Sequence, residues 1–353
     1  MICFEGTNAD TVWRQALRKL SAAGEVQESR DQTTRELLHC AFVISDPRQR
    51  LVYARPINPA FALAEAIWII SGANDADFLS FWNPRMKRFT DVDTRVLFGA
   101  YGYRLGCQPL LSEYAVPRLR HEVQLAEKRL DQVKAGYEAL RHIPHSRQVV
   151  LQLWNSTSDL PDPEPRSKDV PCNLLSHLMI RDGKLEWLQL MRSNDLIWGT
   201  PYNFIQFTTL QEIIAGWLGV EVGTYTHISD SLHVYQRHWQ EVEHIEMDNA
   251  GSQPVKSSAD LRIYPYEEWE KIWQRLVDNV LRLTLCMTAP ELMAIAEDVL
   301  TLPPAYAEWG AVLAAEALRR RGFIEQAKTI IAHAGVFWAT SWLQWAKTTS
   351  PMV

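Results

Sequence analysis

The sequence predicts an α/β (α+β) domain followed by a mostly helical C-terminal extension. Helical and strand patterns alternate over residues 1–245, which suffice for one large domain. A polar segment at residues 248–260, DNAGSQPVKSSAD, has the composition of a linker. Because only helical patterns follow it, we assign residues 246–353 to the extension.

The N-terminal part predicts two helices separated by a loop and strands. Residues 9–22 have apolar side chains at helical spacing. Residues 58–71 follow an Asn-Pro start signal and are apolar nearly all round, which predicts a buried helix that Gly72 ends. Residues 24–36 are typical of a polar loop able to hold an anion, and residues 36–54 of two strands around a DPRQR turn.

The middle of the chain predicts a hairpin. Residues 173–180 and 184–191 are strand-like and are joined by Arg-Asp-Gly, a hairpin-type turn. The other patterns predict a helix over 114–141, a strand over 148–154, a proline-rich loop over 159–170, a helix over 202–218 and a β segment over 222–228. The extension carries helical patterns near 266–283, 290–301, 304–321, 323–334 and 336–346.

Composition excludes several classes of protein. Apolar residues make up 47% of the 353 residues, and the net charge of −6 argues against a nucleic-acid-binding surface. An anionic substrate would need a local cluster of arginines. No segment resembles a signal peptide or reaches membrane-spanning length. The five cysteines form no CxxC pair, so neither a metal site nor a disulfide framework is indicated, and we expect a cytoplasmic protein with reduced thiols.

Two segments suggest nucleophilic chemistry. Cys172, in DVPCN, directly precedes a predicted strand, where a cysteine is more often a small buried apolar residue. A reactive thiolate would need nearby cations to lower its pKa. Arg192, in QLMRSND, is a candidate for that cation, although a strand-end salt bridge is the simpler interpretation.

Three further places carry polar groups that a fold alone would not require. The amide of Asn203, in GTPYNF, could read the edge of a pyrimidine, or it could be an ordinary helix cap. His233 and Tyr235 could bind a sugar hydroxyl or merely cap a helix. Glu65 lies within ALAEAIWII, where a carboxylate is costly unless it is paired or functional.

Taken together, these segments resemble one family. PCN, DGKL, RSND, G-x-PYN, EVG and S-x-H-x-Y, in this order, resemble the thymidylate synthases and their hydroxymethylase relatives. AEAIWIISG, FGAYGYR and HSRQVVLQLWN agree upstream, so the resemblance covers roughly residues 10–240. It implies a thymidylate synthase-like fold with a large mixed β-sheet whose outer face pairs in a homodimer.

The resemblance also implies roles for individual residues. Cys172 matches the nucleophile that adds to C6 of the pyrimidine, Glu65 the glutamate that manages water and proton transfer, Tyr101 the tyrosine near the nucleophile and Asp195 the aspartate that touches the folate. The implied substrate-binding residues are Arg30, Arg192 and Ser193 for the phosphate, Arg147 donated by the partner subunit, Asn203 for the base, His233 and Tyr235 for the sugar, and Asn173 beside the nucleophile, where thymidylate synthases have His.

Departures from the family pattern favour one reaction. Lys87 and Thr90 stand where the family has two folate-packing tryptophans, Trp82 comes five residues early, and about a hundred helical residues replace the family's closing C-terminal segment. Weaker exclusion of water would let water attack the bound one-carbon unit.

We therefore expect a 5-hydroxymethylase that uses 5,10-methylenetetrahydrofolate and a pyrimidine nucleoside monophosphate, with dUMP favoured. A thymidylate synthase and a non-catalytic nucleotide-binding homologue are the alternatives, and the retained Cys172 argues against the second. The simplest expectation for the extension is that it packs on the core, and the alternative is that it rebuilds a lid. We expect the basic run at 319–321 to be a solvated helix end.

Overall fold

The computed structural model of the protein describes residues 1–29, 32–91, 94–106, 130–161, 167–247 and 259–349. Its strands are β1 (Ile2–Gly6), β2 (Glu25–Glu28), β3 (Thr33–Ile44), β4 (Val149–Gln152), β5 (Asn173–Arg181), β6 (Lys184–Asp195) and β7 (Glu221–Tyr235). Its α-helices are α1 (Ala9–Ala23), α2 (Pro59–Ile70), α3 (Ala76–Trp82), α4 (Tyr101–Arg104), α5 (Gln132–His142), α6 (Ser156–Asp159), α7 (Thr200–Leu218), α8 (Trp239–Met247), α9 (Tyr266–Leu285), α10 (Ala289–Val299), α11 (Pro304–Arg320), α12 (Ile324–Ile331) and α13 (Gly335–Ala346).

The strands form one mixed sheet, as predicted. Their order is β1-β3-β7-β6-β5-β4, and β2 pairs with β3 beside this path. β1 is parallel to β3 and β6 is parallel to β7, whereas the other pairs are antiparallel. The predicted hairpin joins β5 to β6, and Asp182 and Gly183 both have positive φ, as a two-residue type I′ turn requires.

Helix α2 is enclosed on nearly every side. Eleven of its twelve residues are buried, and the exception is Glu65. The helix begins as predicted, because Asn58 accepts a hydrogen bond from the N–H of Phe61 at 3.0 Å and Pro59 occupies the first turn. Helix α7 packs against α2, and so do α11 and α13 of the extension.

The extension shares its hydrophobic core with the sheet domain. All five helices that the sequence predicts there are present, as α9 to α13. Trp217 of α7 packs edge-on against Trp269 of α9, with 4.6 Å between ring centroids. Tyr306 of α11 donates from its hydroxyl to the carbonyl of Leu261 at 2.6 Å. The boundary at residues 245 and 246 stays a prediction, because residues 248–258 lie outside the described part of the chain.

Two local predictions in the N-terminal part are wrong. The loop predicted over 24–36 is wrong for its described part, because Glu25–Glu28 of β2 and Thr33–Glu36 of β3 form an antiparallel pair. Residues 51–54 form no strand, although they are apolar and largely buried. The carboxylate of Asp10 accepts the N–H groups of Tyr53 and Ala54 at 2.7 Å each, which satisfies this backbone without a sheet partner.

Elsewhere the predicted elements differ mainly in length. The β segment expected over 222–228 continues to Tyr235, because β3 and β6 pair with it on both sides. The helix expected over 114–141 is described only at its end, as α5, and residues 107–129 lie outside the described part. The remaining helices and strands are confirmed within a few residues.

We expect Gly102→Ala to lower the free energy of unfolding by about 1–3 kcal/mol. A Cβ atom at this position of α4 would lie 1.9 Å from the carbonyl oxygen of Ile69, so the backbone of α2 would have to move. Urea denaturation followed by circular dichroism measures the change. Gly136→Ala is the control, because a Cβ there meets only the side chains of Val149 and Leu151, at 3.0 Å and 3.2 Å. Equal losses in both variants would contradict the backbone contact.

Candidate active site

A cavity of about 730 Å³ opens where the end of β6, helix α2 and the extension meet. Half of the residues that the sequence predicts for a site line this one cavity. They are Glu65, Tyr101, Cys172, Ser193, Asp195 and Asn203. The fold therefore gathers side chains that are far apart in sequence.

Cys172 lies immediately before β5, with Arg192 of β6 beside it. The N–H of Arg192 donates to the carbonyl of Cys172 at 2.9 Å, as part of the pairing of the hairpin. The Arg192 guanidinium donates to the carbonyls of Pro171 at 3.0 Å and Val170 at 3.3 Å, and its Nη2 lies 4.0 Å from Sγ of Cys172. The cation is thus fixed next to the thiol, as the sequence predicts.

Burial raises the pKa of the Cys172 thiol above its ordinary value. Arg192 lowers this pKa, whereas the carboxylates of Asp169 and Asp195 raise it further. The expected lowering by a cation is therefore present, but burial outweighs it. Cys172 is therefore mainly a protonated thiol at neutral pH.

A hydrogen-bonded chain joins Glu65 to Asn203. Nε2 of Gln206 donates to the Glu65 carboxylate at 2.6 Å, and Nδ2 of Asn203 donates to Oε1 of Gln206 at 3.0 Å. Burial raises the pKa of Glu65 to about 7, although the bond from Gln206 lowers it. Glu65 can therefore both give and take a proton near neutral pH. The sequence did not predict a role for Gln206. Its position one helical turn after Asn203 could have indicated it, because residues three apart on a helix are neighbours.

Tyr101 stays protonated beside Cys172. Its pKa lies well above the ordinary value, mainly through burial and then through the nearby Cys172 and Asp169. Asp169, which the sequence analysis also missed, accepts from the N–H of Gly99 at 2.8 Å and so ties the turn before Tyr101 to the segment before Cys172.

Asn173 lies behind the cavity wall. It is fully buried, accepts from Nε2 of Gln189 at 2.8 Å and lies beside Tyr101, whose pKa it lowers. Asn173 does not line the cavity, so its placement does not support the predicted contact with substrate. A positioning role fits this placement, because Asn173 lies between Gln189 and Tyr101.

Asp195 shapes the turn that leads into α7. Its Oδ1 accepts from the N–H groups of Ile197 at 2.8 Å and Trp198 at 3.1 Å. Gly199 follows, and a Cβ there would lie 2.7 Å from Oδ1 of Asn194, so only glycine allows this close approach. The tight turn brings Asp195 and the start of α7, which carries Asn203, to the same cavity.

The remaining predicted residues lie outside the cavity lining. His233 and Tyr235 end β7 with their rings 5.0 Å apart. Tyr235 is also the N-cap residue of the 3-10 helix Gln236–His238, without a side-chain cap hydrogen bond, so sugar binding and helix capping both stay predictions. Arg147 is exposed just before β4. Arg30 lies outside the described residues, and its predicted phosphate contact stays a prediction.

Comparison with known proteins decides the family. Residues 11–268, well over half of the chain, match the family model described as Thymidylate synthase. The chain belongs to the thymidylate synthase family.

Two curated relatives carry the same name, deoxyuridylate hydroxymethyltransferase. The protein of Bacillus phage SP01 is 36% identical over 239 residues, which are 67% of this chain and 59% of the relative. That of Pseudomonas phage M6 is 32% identical over 194 residues, 54% of this chain and 49% of the relative. The matched regions thus span about half to three fifths of the length of these relatives.

In this member of the thymidylate synthase family, the cavity is completed by residues beyond the family match. Arg319 and Arg320 of α11, Trp345 of α13 and Thr349 line it. The expectation that residues 319–321 form a solvated helix end is therefore wrong. Both Arg319 and Arg320 have side chains less than a tenth exposed, and both pair with Glu316, which is fully buried. The sequence could have indicated these ion pairs, because Glu316 precedes Arg319 by three residues and Arg320 by four.

The aromatic wall of the cavity comes from unexpected positions. Lys87 and Thr90, which replace the family's packing tryptophans, do not line the cavity. Trp82, Trp198 and Trp345 do. Arg85 covers the ring of Trp198, with 4.4 Å from its guanidinium carbon to the ring centroid.

In the part of the chain that the structure describes, no helix is long and apolar enough to cross a membrane. The same residues contain no group of three or more His, Cys, Asp or Glu side chains arranged to hold a metal ion.

We expect alkylation of Cys172 by iodoacetamide to have a pH midpoint above that of an ordinary cysteine, because only the thiolate reacts and burial raises its pKa. Arg192→Ala removes the lowering cation and should move the midpoint to still higher pH. Arg181→Ala, on the same hairpin but outside the cavity lining, should leave it unchanged. Mass spectrometry of the Cys172 peptide over a pH series gives the midpoints. An unchanged midpoint in Arg192→Ala would show that this arginine does not act on the thiol.

Proposed function

We propose that this chain is a folate-dependent pyrimidine nucleotide 5-hydroxymethylase, a one-carbon transferase with dUMP as its favoured substrate. The observation that carries the proposal is the shared cavity of Cys172, Glu65 and Asn203 in a member of the thymidylate synthase family. The names of the two phage relatives support hydroxymethyl transfer to deoxyuridylate.

Cys172 begins the reaction as a nucleophile. Its thiolate forms a bond to C6 of the pyrimidine, and the electron pair of the C5–C6 double bond makes C5 nucleophilic. C5 then forms a bond to the one-carbon unit and loses its proton, and the bond between that carbon and the folate nitrogen breaks, so that tetrahydrofolate is the leaving group. When water adds to the resulting exocyclic methylene carbon, the thiolate leaves C6 and the ring double bond is restored. Arg192, 4.0 Å from Sγ, stabilises the thiolate both before attack and after release.

Glu65 moves the protons that these steps require. With a pKa of about 7 it exists in both protonation states near neutral pH. Its side chain lies at the cavity wall, where it can protonate or deprotonate the substrate through a water molecule. Gln206 keeps the carboxylate in place through the 2.6 Å hydrogen bond.

Asn203 reads the base. Its Nδ2 is engaged by Gln206, which fixes the orientation of the amide. An oriented amide has Oδ1 available to accept from N3–H of uracil and a second N–H to donate to O4. Cytosine presents the opposite pattern at both atoms, so this orientation favours uracil.

The cavity fits a second ligand beside the nucleotide. A volume of about 730 Å³ lies in the upper part of the range for ligand sites, which is roughly 300–1,000 Å³. Trp82, Trp198 and Trp345 give it aromatic walls that suit a pterin and a p-aminobenzoyl ring. Asp195 would hold the pterin. Methylenetetrahydrofolate, when bound, supplies the one-carbon unit at the oxidation level of formaldehyde.

The proposal includes a homodimer with Arg147 acting across the interface. The outer face of the sheet carries a cross-strand row of Leu175, Leu190 and Ile228, all only partly buried. A partly exposed apolar row on a sheet face is typical of a surface that a partner covers. Arg147, exposed beside this face near β5, contacts His177 through its carbonyl at 3.2 Å.

A thymidylate synthase is the second candidate, and one observation favours it. The extension lines the cavity with Arg319, Arg320 and Trp345 and so could exclude water as a closing segment does. The two reactions differ in their products. Hydroxymethylation leaves tetrahydrofolate, whereas methylation leaves dihydrofolate.

We expect the protein, given methylenetetrahydrofolate and dUMP, to form 5-hydroxymethyl-dUMP with tetrahydrofolate left over. Cys172→Ala should abolish turnover, because no other group can add to C6, but should still bind dUMP. Mass spectrometry of the nucleotide and absorbance of the folate identify both products, and Cys40→Ala is the control because Cys40 is buried outside the cavity lining. A methyl product with dihydrofolate would select the second candidate. No product from dUMP, dCMP, UMP or CMP would favour a non-catalytic homologue.

We expect Asn203→Asp to lower kcat/KM for dUMP by at least about tenfold and to raise the relative activity on dCMP, because a carboxylate accepts from N4 of cytosine but cannot donate to O4 of uracil. Steady-state rates with both nucleotides measure the change. Asn83→Asp is the matched control, since Asn83 also lines the cavity but only caps the segment Pro84–Phe89. An unchanged preference in Asn203→Asp would remove Asn203 as the base reader.

A further inference from the structure

The extension buries more positive than negative charge beside the cavity. Glu316 of α11 accepts from Arg319 at 2.9 Å and 3.0 Å and lies 2.7 Å from Nε of Arg320. Among the described residues, Glu316 is the one carboxylate paired with either guanidinium. Two buried cations therefore share one buried anion, an arrangement that is costly unless another anion joins it.

The two arginines differ in their other contacts. Arg320 donates to the carbonyl of Trp82 at 2.5 Å, which fastens α11 to the end of α3. Arg319 lies over the ring of Trp345, with 4.9 Å from its guanidinium carbon to the ring centroid. Arg320 thus has a structural contact, whereas Arg319 and Trp345 form a cationic and aromatic pair on the cavity wall.

The carboxylates and the buried cations of the cavity wall come from different parts of the chain. Asp169 and Asp195 are close enough to Cys172 to act on its thiol electrostatically. Arg319 and Arg320 line the cavity from α11 of the extension. A ligand that binds beside Cys172 and reaches α11 should therefore carry its negative charge on the part that reaches α11.

We propose that Arg319 and Trp345 bind the p-aminobenzoyl-glutamate part of the folate, Arg319 through a glutamate carboxylate and Trp345 through the aromatic ring. The proposal rests on the proposed function and assigns this role to residues that lie beyond the family match. A carboxylate at Arg319 balances the second cation of the Glu316 cluster. The ring of a benzoyl amide stacks on indole without needing a specific hydrogen bond.

The test compares tetrahydrofolate with its diamide, in which both glutamate carboxylates are neutral amides and the rest of the molecule is the same. Isothermal titration calorimetry, with dUMP present and oxygen excluded, gives Kd for each ligand. We expect the unchanged protein to bind tetrahydrofolate at least about tenfold more tightly, as a charge-assisted hydrogen bond implies. Arg319→Met should bring the ratio of the two Kd values close to one without changing Kd for dUMP.

Three further variants separate a binding role from a structural one. Arg319→Met leaves Glu316 paired with Arg320, so the buried charges balance and the fold should persist; if this variant still fails to fold, Arg319→Lys should keep the preference for the carboxylates in part. Trp345→Leu should weaken both ligands equally, because both contain the benzoyl ring. Arg321→Met is the control, since Arg321 binds the carbonyls of Leu283 and Thr284 outside the cavity lining.

The outcomes distinguish this proposal from the proposed function. A carboxylate preference that survives Arg319→Met, or that Arg321→Met removes as well, overturns the role of Arg319 while folate binding itself stands. If the unchanged protein binds dUMP but neither folate, the folate-dependent function fails and this inference fails with it.

Discussion

The burial of helix α2 is the constraint on which the rest of the structure depends. An apolar helix with eleven of twelve residues buried needs partners around it, and α7 and the extension supply them. Glu65 is its one partly exposed residue, and it opens onto the cavity. The packing that hides the helix therefore also fixes the position of the carboxylate, and the close approach of Gly102 to Ile69 brings Tyr101 to the same place.

Much of the fold could be predicted because its signals are local. Asn58 and Pro59 predict the start of α2, and the Asp-Gly pair predicts the β5–β6 turn. Five periodic patterns predict the helices of the extension. The strand wrongly predicted over residues 51–54 has a physical explanation. The N–H groups of Tyr53 and Ala54 are bound by the side chain of Asp10 and not by a neighbouring strand. A single long-range contact of this kind leaves no periodic pattern in the sequence.

The candidate site could be predicted as far as its motifs reach. Cys172, Arg192 and Asn203 belong to contiguous segments whose order resembles a family, so they were found. Gln206 and Arg319 were missed because no motif contains them. Their roles follow from the hydrogen bonds and ion pairs that they make in the folded chain. Arg319 in particular looks like a solvated charge until α11 is packed against α2 and Glu316 is buried beneath it.

The raised pKa of Cys172 also bears on the durability of the protein. Oxidation to sulfenic acid proceeds through the thiolate, so a cysteine held as a neutral thiol is protected from it. Burial thus keeps this sulfur atom unreactive in the free protein. The same desolvation protects it from peroxide and from other electrophiles.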